Sequence, residues 1–127
     1  MKTTKDIGRL GENAACSYLK AHKYKILEQN YFASHNEIDI IAENKQYIVF
    51  VEVKARTVYN GSEFGSPASA VTYSKQKRTL AAAQVYLNDH KTKKSPRLDV
   101  IEVYISRTSD GEHEVIKINH IEDAFSN

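Results

Sequence analysis

Asn36-Glu37-Ile38-Asp39-Ile40-Ile41-Ala42-Glu43, then Asn44-Lys45, then Gln46-Tyr47-Ile48-Val49-Phe50-Val51-Glu52-Val53-Lys54 is the stretch that decides how this chain folds. Strand side chains alternate between faces, and residues directly opposed across a hairpin share a face. A two-residue turn at Asn44-Lys45 pairs Glu43 with Gln46, which sets Ile40 opposite Val49, Ile38 opposite Val51, and Asp39 opposite Phe50 and diagonal to Glu52. Ile38, Ile40, Val49, Val51 and Val53 then form one face. The other carries Glu37, Asp39, Glu52, Lys54 and Arg56 together with Ile41, Ile48 and Phe50. A slip of one residue would mix the sets and bury charge, so the apolar pattern itself selects the register that gathers the carboxylates beside a lysine.

Outward from this hairpin, Ile7, Leu10, Ala14, Ala15, Tyr18 and Leu19 recur at helical spacing. They predict an amphipathic helix over residues 5–22, with Glu12 near the edge of its buried stripe. Residues 24–31 read as a strand that precedes the hairpin. Gly61, Gly65 and Pro67 break regular structure and make residues 57–71 a long connection. A second helix is expected over 72–89, with Leu80, Ala83 and Leu87 inward and Lys75, Lys77 and Arg78 in its first turns. Strands follow over 97–106 and, after a turn at Asp110-Gly111, over 114–119, with a short helical tail over 120–125. The order is α-β-β-β-α-β-β, an α/β class.

Length and composition bound the rest. The chain has 127 residues, enough for one domain and too few for two, so residues 1–127 are expected to form one unit. Its 41% hydrophobic and 27% charged content is ordinary for a globular protein. The longest unbroken apolar run, Tyr47 to Val51, is far too short to span a bilayer, so a cytoplasmic location without a membrane partner is expected. Cys16 is the single cysteine, which excludes an internal disulfide and a zinc framework. His22, His35, His90, His113 and His120 lack metal-ligand spacing. Gly8 and Gly11 fall inside a helix, which rules out a dinucleotide-binding loop. The net charge is only +2, but seven basic residues and one acid lie between Lys75 and Arg97, leaving the rest of the chain at −4. A basic stretch beside an acidic face suits a polyanion, although Lys91, Lys93 and Lys94 read equally well as a solvated loop.

Taken alone, Glu52 and Lys54 are a surface ion pair worth roughly 0.2–1 kcal/mol. Asp39 converging from the next strand changes that reading, because adjacent carboxylates repel unless a cation compensates them. Asp99 reads as structural, pairing with Arg97 or a loop amide.

This constellation resembles the PD-(D/E)XK nuclease superfamily, and nearly the whole chain is similar to one branch of it, the bacterial YraN-type family of predicted endonucleases. The resemblance rests on Gly8, Gly11-Glu12, Ala15 and Leu19, on Glu37-Ile38-Asp39, and on Phe50-Val51-Glu52-Val53-Lys54 with Arg56. It continues through Phe64-Gly65, Pro67, Ala70-Val71 and Lys75, then Ala83, Tyr86-Leu87, Arg97-Leu98-Asp99-Val100 and Ala124-Phe125. Asn36 stands where the family usually has glycine, and can take the same left-handed geometry. Ile38 replaces the superfamily's proline before the aspartate, as is common in this branch.

The resemblance implies a restriction endonuclease-like α/β fold, a central mixed β-sheet flanked by helices. It implies that Asp39 and Glu52, with the Val53 carbonyl, ligate Mg²⁺ or Mn²⁺, and that Glu12 adds a direct or water-mediated ligand. Lys54 would position or deprotonate the attacking water. Arg56, Lys75, Gln76, Lys77 and Arg78 would contact nucleic acid, and Glu37 and Asn36 would flank the ligands. The implied activity is metal-dependent hydrolysis of phosphodiester bonds in nucleic acid, most plausibly branched DNA, by analogy with the Holliday-junction resolvases that act as dimers. Two other readings stay open: a nucleic-acid-binding or scaffold module that keeps the fold without cutting, and a hydrolase of small phosphodiesters.

Overall fold

The structure is a computed structural model and describes residues 4–59, 62–63 and 73–124. Helix α1 (Thr4–Ala21) precedes strands β1 (Lys25–Ala33), β2 (Asn36–Glu43), β3 (Tyr47–Tyr59) and the two-residue β4 (Ser62–Glu63). Helix α2 (Tyr73–Asp89), β5 (Ser95–Arg107) and β6 (His113–Ile121) complete the expected order, with β4 added. The sheet runs β1-β2-β3-β5-β6, with β4 paired to β3 off this path. β3 and β5 are parallel from Tyr47–Ser95 to Val58–Ser106, and every other pairing among the described residues is antiparallel. A parallel pair needs a crossover, and α2 lies on that connection. This is a restriction endonuclease-like architecture, a mixed sheet with a helix on each face.

Alternation along the central strands sorts the core into two layers. Ala15, Cys16 and Leu19 of α1 pack on Ile40, Ala42, Val49, Val51, Ile101, Val103 and Ile105. Ala82, Ala83 and Tyr86 of α2 pack on Ile38, Ile41, Ile48 and Phe50. Leu80, expected to point inward, is 47% exposed. The phase of α2 is set instead by Tyr86, whose ring meets Tyr31 and Phe50 edge-on at 5.2 and 6.0 Å, so that Thr79, Ala82 and Ala83 share its buried side.

The hairpin differs from its expected register by two residues. Ile40 pairs with Val51 and Glu43 with Ile48. The turn is longer because the Asn44 Oδ1 accepts the amides of Gln46 at 2.9 Å and Tyr47 at 2.7 Å, while the Asn44 N–H donates to the Tyr47 carbonyl. An even shift keeps the faces as assigned except at the start of β2, where Glu37, expected beside Glu52 and Lys54, turns instead to Glu12 and Asn30 on the α1 side, and Ile38 also changes face. Ile38 packs in the α2 layer, while Ile40 packs in the α1 layer. Between them the β2–β3 ladder ends at Ile40–Val51, and Asn30 on β1 takes a left-handed φ of 55°, so the alternation resets at Asp39.

Three further expectations are corrected. Residues 57–59 prolong β3 rather than opening a loop, because Thr57 and Val58 still pair with β5; Phe64, Gly65, Pro67, Ala70 and Val71 lie outside the described residues. His120 and Ile121 end β6 instead of beginning a helical tail, and Phe125 lies outside the described residues. The left-handed residues at the β1–β2 turn are Ser34 and His35, with φ of 51° and 60°, and Asn36 is not among them.

His120 stays in the strand because it is held to a buried carboxylate. Asp99 is fully buried and accepts two bonds from Arg97, at 2.9 and 2.8 Å, one from the His120 Nε2 side at 2.6 Å and one from the Asp123 amide at 3.0 Å. The other His120 ring nitrogen meets the Tyr18 hydroxyl at 3.1 Å, which ties α1 to β6. Burial pushes the Asp99 carboxyl up, but His120, Arg97 and the Asp123 amide outweigh it and hold it below the ordinary carboxylate value. Asp99→Ala should cost about 3–5 kcal/mol in urea unfolding, because Arg97 and His120 lose their shared partner. A loss below about 1 kcal/mol would show that this network does not anchor the β5–β6 end.

Candidate metal centre

Asp39 lies at the point where β2 leaves β3. Its Oδ2 accepts the Val53 N–H at 2.8 Å, a donor that continued pairing would have given to a backbone carbonyl. Val53 therefore meets the centre through its amide, and the same hydrogen bond fixes the Asp39 carboxylate beside β3. Glu52, 7% exposed, sits on the α2 face next to Val53. Two ammonium groups approach its Oε1, Lys54 at 3.4 Å and Lys75 at 3.7 Å.

Glu12 and Glu37 reach Asp39 from the α1 side. A Cβ built on Gly11 would stand 3.2 Å from the Ala55 Cβ, so α1 crosses β3 closely there and carries Glu12 toward the acids. The Asn30 amide, with its nitrogen turned to both carboxylates, donates to Glu37 and to Glu12 at 3.1 Å each. A groove of about 520 Å³ beside this bridge is lined by Gly8, Arg9, Glu12, Asn13, Gln29, Asn30 and Glu37.

Burial and Glu52 push the Asp39 carboxyl up to about 7; the Val53 amide opposes this, while Glu12 and Glu37 add to it. Glu12 is also raised, by burial and by Glu37, against the lowering effect of Asn30. Asp39 and Glu12 therefore resist carrying their negative charge beside the neighbouring acids, and a cation among them would relieve this.

The donor set is hard oxygen, which suits Mg²⁺ or Mn²⁺. Among the described residues, no group of three or more His, Cys, Asp or Glu side chains could hold a metal ion by itself. That is compatible with Mg²⁺, which usually takes one or two carboxylates and fills its octahedron with waters or carbonyls. Asp39 and Glu52, with the adjacent Val53 peptide, are the residues that fit it.

The other expected site residues divide by position. Asn36 is 5% exposed; its Oδ1 accepts the Lys75 ammonium at 2.9 Å, and its Nδ2 faces the Glu37 carbonyl and the Thr79 hydroxyl. Gln76 is half-buried, whereas Lys77 and Arg78 are exposed on α2. Arg56 is directed along the sheet to Glu102, 3.8 Å away. Glu102 is fully buried, pairs across strands with Lys54, and accepts from Asn119 at 2.8 Å. Sequence reading missed Glu102 and Asn30. The signal for Glu102 was its parity, since it and Tyr104 alternate with Ile101, Val103 and Ile105 and so share a face with Glu52 and Lys54.

A mixed sheet that splays between two strands to bring an aspartate, a glutamate and a lysine together is the arrangement of a PD-(D/E)XK nuclease-like protein. Residues 11–103 match the family described as "Uncharacterised protein family UPF0102". A UPF0102 protein of Caldanaerobacter subterraneus is 44% identical over 95% of this chain and 95% of its own length. One of Chlorobium chlorochromatii is 42% identical over 97% and 93%, and one of Clostridium botulinum 42% over 98% and 97%. The chain belongs to the UPF0102 family, within the PD-(D/E)XK nuclease-like superfamily by homology. Among the described residues, no helix is long and apolar enough to cross a membrane.

The raised Asp39 carboxyl has a direct consequence for stability. Its ordinary value is 3.8, so between that pH and about 7 the folded state binds the proton more tightly than the unfolded state. Stability therefore falls as pH rises through this window, and the cost is fully present above it. Without divalent metal, Asp39→Asn should be more stable than the native protein at pH 8 by roughly 1–3 kcal/mol, and the difference should narrow as pH drops toward 5. Thermal melts in chelator across this range check it; a gap that is constant with pH would contradict the raised carboxyl.

Proposed function

We propose that this protein is a divalent-metal-dependent endonuclease that hydrolyses phosphodiester bonds in nucleic acid, with branched DNA as its preferred substrate. The observation that carries this reading is the convergence of Asp39 and Glu52 with the Lys54 ammonium, at the point where β2 departs from β3. Asp39 and Glu52 would hold Mg²⁺ or Mn²⁺, with the Val53 carbonyl completing the protein's share and Glu12 contributing directly or through water. The cation supplies Lewis-acid polarisation of a phosphoryl oxygen when bound.

The chain's own residues do the remaining work. Glu52 holds Lys54 at the acids, so the ammonium is placed to orient the attacking water and to balance charge developing on the phosphate. Val53 fixes the rotamer of Asp39. Glu37, bridged to Glu12 through Asn30, steadies the α1 side. Gln76, Lys77 and Arg78, on the same helix as Lys75, would line the approach of the nucleic-acid backbone, with Arg56 further along the sheet. Symmetric cleavage of a junction requires two centres, so the reading includes a homodimer.

The second reading, a nucleic-acid-binding module that does not cut, draws on the two ammonium groups, of Lys54 and Lys75, that already meet Glu52 from within the chain. Labelled four-way junction, duplex and single-stranded DNA incubated with Mn²⁺ or Mg²⁺ separate the two. Asp39→Ala and Glu52→Ala should abolish cleavage while leaving DNA binding largely intact, and Lys54→Ala should slow it by about 10²–10⁴. Binding without cleavage by the native protein would support the module, and native-level cutting by Lys54→Ala would remove that lysine from the chemistry.

A further inference from the structure

Lys75 occupies an electrostatically unusual place. It lies in the first turn of α2, which contains no acidic residue, and a cation near a helix N-terminus opposes the helix dipole. The ammonium is nevertheless drawn inward. It meets Glu52 Oε1 at 3.7 Å, and that oxygen is already shared with Lys54 at 3.4 Å. Its shorter bond, 2.9 Å, goes to the neutral Asn36 Oδ1. Asn36 can serve as a fixed point because it is buried on β2 and because its amide nitrogen meets the Thr79 hydroxyl, which in turn donates to the Lys75 carbonyl. The amide thus grips one turn of α2 at both ends.

We infer that Lys75 is the exchangeable counter-ion of the acidic centre and that Asn36 is the positioning residue that keeps it there. In this structure, Lys75 and Lys54 share the Glu52 carboxylate. When Glu52 turns to a divalent cation, Lys75 gives up that oxygen but remains on Asn36, where its ammonium meets a non-bridging oxygen of the nucleic-acid phosphate. No bond is made or broken in this exchange; one ionic contact replaces another. The inference rests on the metal-binding reading above, and adds to it that Lys75 competes with the cation for Glu52 while supporting turnover.

Competition of this kind gives two effects of opposite sign, which neither a purely structural lysine nor a distant DNA contact produces. Mn²⁺ titration of the metal-free protein, read from the electron paramagnetic resonance of free Mn²⁺, measures the first without any need for activity. Lys75→Met should bind Mn²⁺ about two- to fivefold more tightly than the native protein, the range expected from removing a partly exposed ionic contact. Lys75→Arg should stay near the native affinity. Cleavage by Lys75→Met should fall at least about tenfold, and Asn36→Ala should lower cleavage in the native background yet add little to Lys75→Met. Lys75→Gln serves as the second charge-removing variant should Lys75→Met fail to fold, as judged by its thermal melt. Mn²⁺ affinity that is unchanged or weakened in a folded charge-removing variant would overturn the inference while leaving the metal centre standing. Native protein that binds no Mn²⁺ would overturn the metal reading, and this inference with it.

Discussion

Where β2 parts from β3, the Val53 amide finds the Asp39 carboxylate at 2.8 Å in place of a backbone carbonyl. A buried N–H left unsatisfied would be costly, so the ladder cannot end there unless a side chain closes it. Asp39 closes it, and by doing so becomes fixed among other acids. The same event reverses the facing of β2: Ile38 enters the α2 layer, Ile40 the α1 layer, and Glu37 turns toward Glu12 and Asn30. One hydrogen bond thus couples the shape of the sheet to the charge of the centre.

That centre is destabilising by itself, and the surrounding fold offsets it. The long parallel pairing of β3 with β5 holds Glu52 and Lys54 on a rigid strand, with Glu102 as the cross-strand neighbour of Lys54. At the β5–β6 end, the saturated carboxylate of Asp99 binds Arg97, His120 and the Asp123 amide. The two buried acids contrast in a useful way: Asp99 has enough donors to stay ionised, whereas Asp39 has one amide and several carboxylate neighbours. An acid satisfied from within the chain serves structure; an acid that lacks compensation holds its charge at a cost that a cation from outside would relieve.

Much of this was legible in the residues. The helical spacing of Ala15 and Leu19, the alternation of Ile40, Val49 and Val51, and the turn at Asp110-Gly111 all act locally, so their reading held. The hairpin register was misjudged because an Asx-type turn at Asn44 consumes two more residues than a tight turn, and a shift by an even number leaves the facing pattern unchanged. Leu80 was misplaced because the phase of α2 is dictated by the tertiary fit of Tyr86 between Tyr31 and Phe50. Ile38 was misplaced because a break in a ladder leaves no mark in an otherwise regular alternation. The link from Asn36 to Lys75 spans two elements far apart in sequence, and no pattern within either element announces it.

The proposed centre requires Asp39 and Glu52 jointly to hold one divalent cation. Crystals soaked in Mn²⁺ and measured at the manganese absorption edge test that most directly. The expected result is a single strong anomalous peak within direct ligand distance of both carboxylates, with the Lys75 ammonium withdrawn from Glu52 Oε1. A crystal that holds Mn²⁺ elsewhere, or that shows no peak while the acids retain their lysine partners, would contradict it.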